Sequence, residues 1–167
     1  MQHEGMVHAL SEVRRALRVG GHLIDLRPIV CHPTVDVLSG EGEAPAGRLD
    51  DSSNQPDQAA CERALRYALA QGWFRRLAGE DFTYSIYWDT PAEMLEYLAA
   101  NWEEIEVPEE VVLRAQRLAD QGPAPVQVRV RLTMRIARYE NLRPGSWVDS
   151  LEDASGRSRY EQSRSGA

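Results

Sequence analysis

The chain has 167 residues, 43% of them hydrophobic, and a formal net charge of -7. That length suits one domain with a core of ordinary size. The acidic excess, 26 against 19, argues against nucleic acid or an anionic membrane as the main partner. No apolar run approaches the roughly 20 residues of a membrane helix.

The chain opens with a helical stripe, Met6, Leu10, Val13 and Leu17, closed by Gly20 and Gly21. His22 to Pro28 reads as a short strand ending at the proline. Residues 34–50 alternate and then break at Gly40, Gly42, Pro45 and Gly47, which predicts an irregular hairpin. Ser53 or Asn54 precedes Pro56 as the cap of a helix predicted over 56–77. Phe82, Tyr84, Ile86 and Trp88 alternate with polar residues and predict a strand. Thr90, Pro91 and Glu93 make a capping box for the next helix, and Val107-Pro108-Glu109-Glu110 opens another. Val126, Val128, Val130, Leu132, Met134 and Ile136 then alternate with Gln127, Arg129, Arg131, Thr133 and Arg135 in a long antiparallel strand with one wet face. After a turn at Pro144-Gly145, a Ser-, Gly- and Arg-rich tail over 149–167 reads as disordered, leaving a single domain over 1–148.

Chemistry-bearing residues are sparse. All 19 basic residues are arginines, so Schiff-base and P-loop lysine chemistry are excluded; guanidinium pairing chemistry can account for the usage, but GC-rich codon bias is the favoured explanation. Gly20-Gly21 follow a helix and precede a strand, the reverse of a phosphate cradle. Cys31 and Cys61 lack CxxC spacing, and the four histidines are all within the first 32 residues with no converging ligands, so neither a disulfide framework nor a metal site is expected. The Arg129, Arg131, Arg135 row is best explained by pairing with acids on neighbouring strands. Trp73, Trp88, Trp102 and Tyr84 are aromatic at spacings typical of a core, although they can also wall a pocket. Asp25 and Arg27 share one face of the first strand near its C-terminal end, a usual ligand position in α/β sheets. If a small molecule binds, Asp25 and Arg27 with Tyr84 and Trp88 as walls are the expected substrate-binding set. No catalytic residue is assignable, because no Ser-His-Asp, GxSxG or HExxH signature occurs.

The stretch from Glu4 to Pro28 carries Leu10, Glu12, Arg15, Leu17, Gly20 and Gly21 in a helix that leads into a strand. It resembles the second half of a class I S-adenosylmethionine-dependent methyltransferase, with Val19 where that family usually has proline. The resemblance implies the C-terminal half of a Rossmann-like α/β fold, a mixed sheet whose last strand is antiparallel. The family binds its cofactor through a glycine-rich loop and an acidic residue at earlier strands. No counterpart of either occurs in the sequence, so no cofactor-binding residue carries over.

The expectation is therefore a methyltransferase-like chain that is non-catalytic alone and binds no cofactor by itself, acting as a binding or interaction module. Such a sheet has an unpaired edge and an apolar face to cover. The 34–50 hairpin, a second copy in a homodimer, or a partner chain can cover them. Two alternatives stand beside it: a working methyltransferase whose S-adenosylmethionine half lies upstream, and an unrelated small α+β ligand-binding domain. Absence of a parallel pair involving the 22–27 strand favours the last. The charge and the lack of a signal-type apolar segment point to a cytoplasmic protein without nucleic-acid or membrane partners.

Overall fold

The computed structural model describes residues 3–29, 31–102 and 104–142. Among these residues four helices pack on one five-stranded sheet. In chain order these are α1 (His3–Ala16), β1 (His22–Pro28), β2 (Thr34–Ser39), β3 (Gly42–Arg48), α2 (Gln55–Ala70), β4 (Phe74–Trp88), α3 (Pro91–Asn101), α4 (Glu109–Gln121) and β5 (Gln127–Asn141). A short 3₁₀ turn, Ser52–Asn54, precedes α2.

The 15-residue β5 organises the sheet. One side pairs with β4 over the whole length, from Trp88 opposite Val128 to Phe74 opposite Asn141. The other side is shared: β2 pairs with Gln127 to Arg131, and β1 with Met134 to Glu140. β3 extends the sheet beyond β2.

Every pairing is antiparallel. The mixed sheet expected from the sequence is thus corrected. β1 and β4 run in the same direction, but β5 lies between them, so among the described residues no parallel neighbours exist. The fold is a mixed α/β architecture whose last strand is antiparallel to all of its neighbours.

The period of β5 sorts the core into two clusters on opposite faces. Even-numbered Val128 and Val130 join Val35, Val37, Met94, Leu98, Val111 and Ala115 under α3 and α4. Odd-numbered Ala137 and Tyr139 join Leu65, Ala68 and Phe74 under α1 and α2, where Leu10, Val13 and Leu17 of the opening stripe pack. Asn141 ties the two ends of this layer together. Its side-chain amide donates to the carbonyls of Arg14, Leu17 and Arg18, at 3.1, 2.8 and 3.3 Å, and so closes the C-terminus of α1.

Three element boundaries differ from the sequence expectation. α2 ends at Ala70 rather than near residue 77, because Gly72 takes a left-handed conformation at φ 64°. β4 begins at Phe74 rather than Phe82. A register shift between Arg76 and Ala78 hides its alternation, while β5 supplies backbone partners along its whole length. The capping box of α3 is present in modified form: Thr90 Oγ1 accepts from the Glu93 amide at 3.2 Å, and Glu93 Oε2 accepts from Asp89 rather than from Thr90. The turn at 144–145 and the tail at 149–167 lie outside the described residues.

Candidate functional site

Among the described residues the two helical layers leave two sheet quadrants without a helix. The first is polar. Odd-numbered Arg129 and Arg131 of β5 stand beside Asp36 of β2, which is only 2% exposed. Asp36 Oδ2 lies 3.1 Å from Arg129 and 2.9 Å from Arg131, and Glu43 on β3 contacts both arginines. Burial pulls the Arg129 guanidinium towards losing its proton, but hydrogen bonds to Asp36, Tyr87 and Glu43 together raise its pKa further above the usual arginine value. Further along the same face, Arg135 holds Asp81 at 2.7 and 2.8 Å and Glu62 at 3.2 Å. The hydrogen bond from Arg135 keeps the Asp81 carboxyl below its ordinary pKa. The arginine row is thus a set of cross-strand pairs, as its pattern predicts.

The second quadrant is apolar. Ile24 and Leu26 on β1 are 53% and 56% exposed, Phe82 and Tyr84 on β4 are exposed, and half-buried Met134 and Ile136 lie between them on β5. No described helix covers these residues, since α3 and α4 pack over the other half of this face. β1 is also an edge. The Ile29 amide donates to the Thr133 carbonyl at 3.0 Å, and the Gly21 carbonyl accepts from the Asn141 amide at 2.8 Å. By strand alternation the odd-numbered residues of β1 bond β5, so the amides and carbonyls of His22, Ile24 and Leu26 point outward. Among the described residues nothing pairs with them. The 34–50 hairpin does not cover this edge. It pairs with the N-terminal half of β5, where valines 35 and 37 meet valines 130 and 128.

The four residues expected to bind a substrate are not brought together. Asp25 lies opposite Ala137 and Arg27 opposite Arg135, on the face under α2, where the two side chains pair at 3.2 Å. Tyr84 lies opposite Leu132 and Trp88 opposite Val128, on the other face. Trp88 packs against the core with its ring 5.3 Å from that of Tyr97. Tyr84 lines an open groove of about 610 Å³ with Tyr97, Trp102, Leu132 and Met134. Of the four candidate aromatics, Tyr84 and Trp102 share this groove. Trp73 sits on the opposite face against Tyr67 and beneath the Arg14 guanidinium. Sequence reasoning missed Tyr97, which the apolar spacing of α3 does not single out, and Asp36, whose place between two valines is the one signal of a buried partner for the arginine row.

Among the described residues no three His, Cys, Asp or Glu side chains converge as metal ligands, and no helix is long and apolar enough to cross a membrane. Cys31 and Cys61 are free thiols, and burial raises the Cys61 pKa. No family model matches the chain, and no match is found among curated proteins or solved structures.

Proposed function

We propose that this chain is a methyltransferase-like interaction module, non-catalytic by itself, that assembles by adding a strand to β1 and forms a homodimer. One observation carries the reading. β1 offers the outward amides of His22, Ile24 and Leu26 on an edge whose exposed face is Ile24 and Leu26. Edges of this kind are templates for another chain: β1 has no lysine and no bulge, its one proline stands at the end, and its two charged residues, Asp25 and Arg27, pair with each other on the face under α2. A two-fold copy satisfies both rows of outward amides and carbonyls and sets the two apolar faces side by side in one continuous sheet. The helix α1, the Gly20-Gly21 turn and β1 fit the resemblance, as does an antiparallel last strand.

Light scattering on the purified chain at micromolar concentration tests this reading. A dimer mass that falls to the monomer mass in Ile24→Asp supports it, and a monomer mass in the parent chain overturns it. Calorimetric titration with S-adenosylmethionine separates the catalytic alternative. Micromolar binding by this chain alone points to a working methyltransferase.

A second reading has its own support. The wholly antiparallel sheet favours a small α+β ligand-binding domain unrelated to that family. The shared groove of Tyr84 and Trp102 is where such a ligand fits.

A further inference from the structure

We propose that the groove between the end of α3 and the open sheet face binds a small organic cation of the methylated ammonium class. The walls come first. Tyr97 and Trp102 have ring centroids 6.3 Å apart and planes 76° apart, so they form a corner rather than a stack. Tyr84 on β4 lines the same groove. Tyr84 and Tyr97 are 49% and 38% exposed, more than a core role requires. The face of an aromatic ring carries negative charge density, and a cation seated among several such faces is held without a formal counter-charge.

The charge of the lining points the same way. Among the described residues Glu104 is the one ionic residue in the groove, and no Arg or His lines it. The neighbouring groove across the sheet holds Arg27, Arg66, Arg76 and Arg135, so the absence of arginine here is local. Ala100 and Asn101 belong to the last turn of α3, the negative end of the helix dipole, and Tyr97 to the turn before it. Glu104 is held in place through its carbonyl, which accepts from Ser53 Oγ.

The remaining wall selects the kind of cation. Leu132 and Met134 present hydrocarbon and a thioether, and the Asn101 amide nitrogen donates to the Tyr97 carbonyl at 2.9 Å. A bare ammonium keeps its water in such a place. Methyl groups on the nitrogen spread its charge and match the apolar wall.

Choline chloride and its neutral isostere 3,3-dimethylbutan-1-ol are the probes, titrated into the full chain by calorimetry with sodium chloride as the ionic-strength control. The expected result is saturable choline binding, about tenfold weaker binding of the alcohol, and about tenfold weaker choline binding in Tyr84→Leu, whose side chain is exposed. Glu104→Gln is expected to weaken choline about threefold and to flatten its salt dependence. Equal binding of the alcohol overturns the proposal, as does choline binding unchanged in Tyr84→Leu or no saturable binding at all. Trp102→Phe keeps a ring and tests the corner without emptying it; retained fold with weaker binding supports the site. The light-scattering mass reports on the strand-edge reading and is independent of this titration.

Discussion

Asp36 and Arg129 stand directly opposite each other on β2 and β5, joined at 3.1 Å, with Arg131 reaching the same carboxylate oxygen from the next position on its face. One buried acid therefore serves two cations. Removing it strands both guanidinium groups beside a largely desolvated strand pair, with Glu43 as their remaining acid. We predict that Asp36→Ala lowers unfolding free energy by about 3–5 kcal/mol, the cost of breaking a buried ion pair. Urea denaturation followed by circular dichroism measures it, and a loss below about 1 kcal/mol would place this cluster with ordinary surface pairs.

Asp81 and Arg135 set an acid limit on stability. The Asp81 carboxyl is held below its ordinary value of 3.8 by the hydrogen bond from Arg135. A carboxyl with a lowered folded pKa favours the folded state above the unfolded pKa, and that contribution fades as pH falls through the folded value. Stability is expected to drop as pH falls below about 4. The drop should be shallower in Asp81→Asn, as read from melting temperature between pH 5 and about 2.5.

Backbone direction in β1 separates assembly from folding. The Leu26 amide points outward and the Arg27 amide points at β5. Proline is tolerated on an edge strand where the lost N–H faces away from the ladder. Leu26→Pro is expected to keep the helical and strand signal in circular dichroism while abolishing the dimer. Arg27→Pro is expected to lose the fold. If Leu26→Pro leaves a dimer by light scattering, β1 is not the assembly edge.

Gly47 on β3 packs directly against Val111 of α4. A Cβ placed there meets Val111 Cγ2 at 2.6 Å. Gly47→Ala meets Val111 and also places an L residue at φ 155°, so it is expected to cost about 1–3 kcal/mol, with recovery of only the steric part in the Gly47→Ala, Val111→Ala double variant. Thermal melts of the four chains in that cycle measure the coupling, and strictly additive losses would show that the contact is not the cause.

Much of the local structure was legible from residue order. The stripe of α1, the Thr90 cap and the alternation of β5 are short-range patterns, because 3.6-residue and two-residue periods determine which side chains share a face. The 74–81 portion of β4 was not legible. Its register shift breaks the two-residue period, and its partner lies about sixty residues further along the chain. The substrate set failed as a set for a related reason. Asp25 and Arg27 share a face, and Tyr84 and Trp88 share a face, but only the pairing of both strands with β5 shows that the faces are opposite.

The sequence by itself determined that Val128, Val130, Met134 and Ile136 point one way and Arg129, Arg131 and Arg135 the other. The tertiary structure decided that the first two are buried under α3 and α4 while the next two lie on an uncovered face, and that Ala137 and Tyr139 are roofed by α1 and α2 on the other side. Alternation is a property of one strand's backbone. Which helix lies over which half depends on the path of the chain between strands, and that is a long-range balance of packing against loop closure that no local period records.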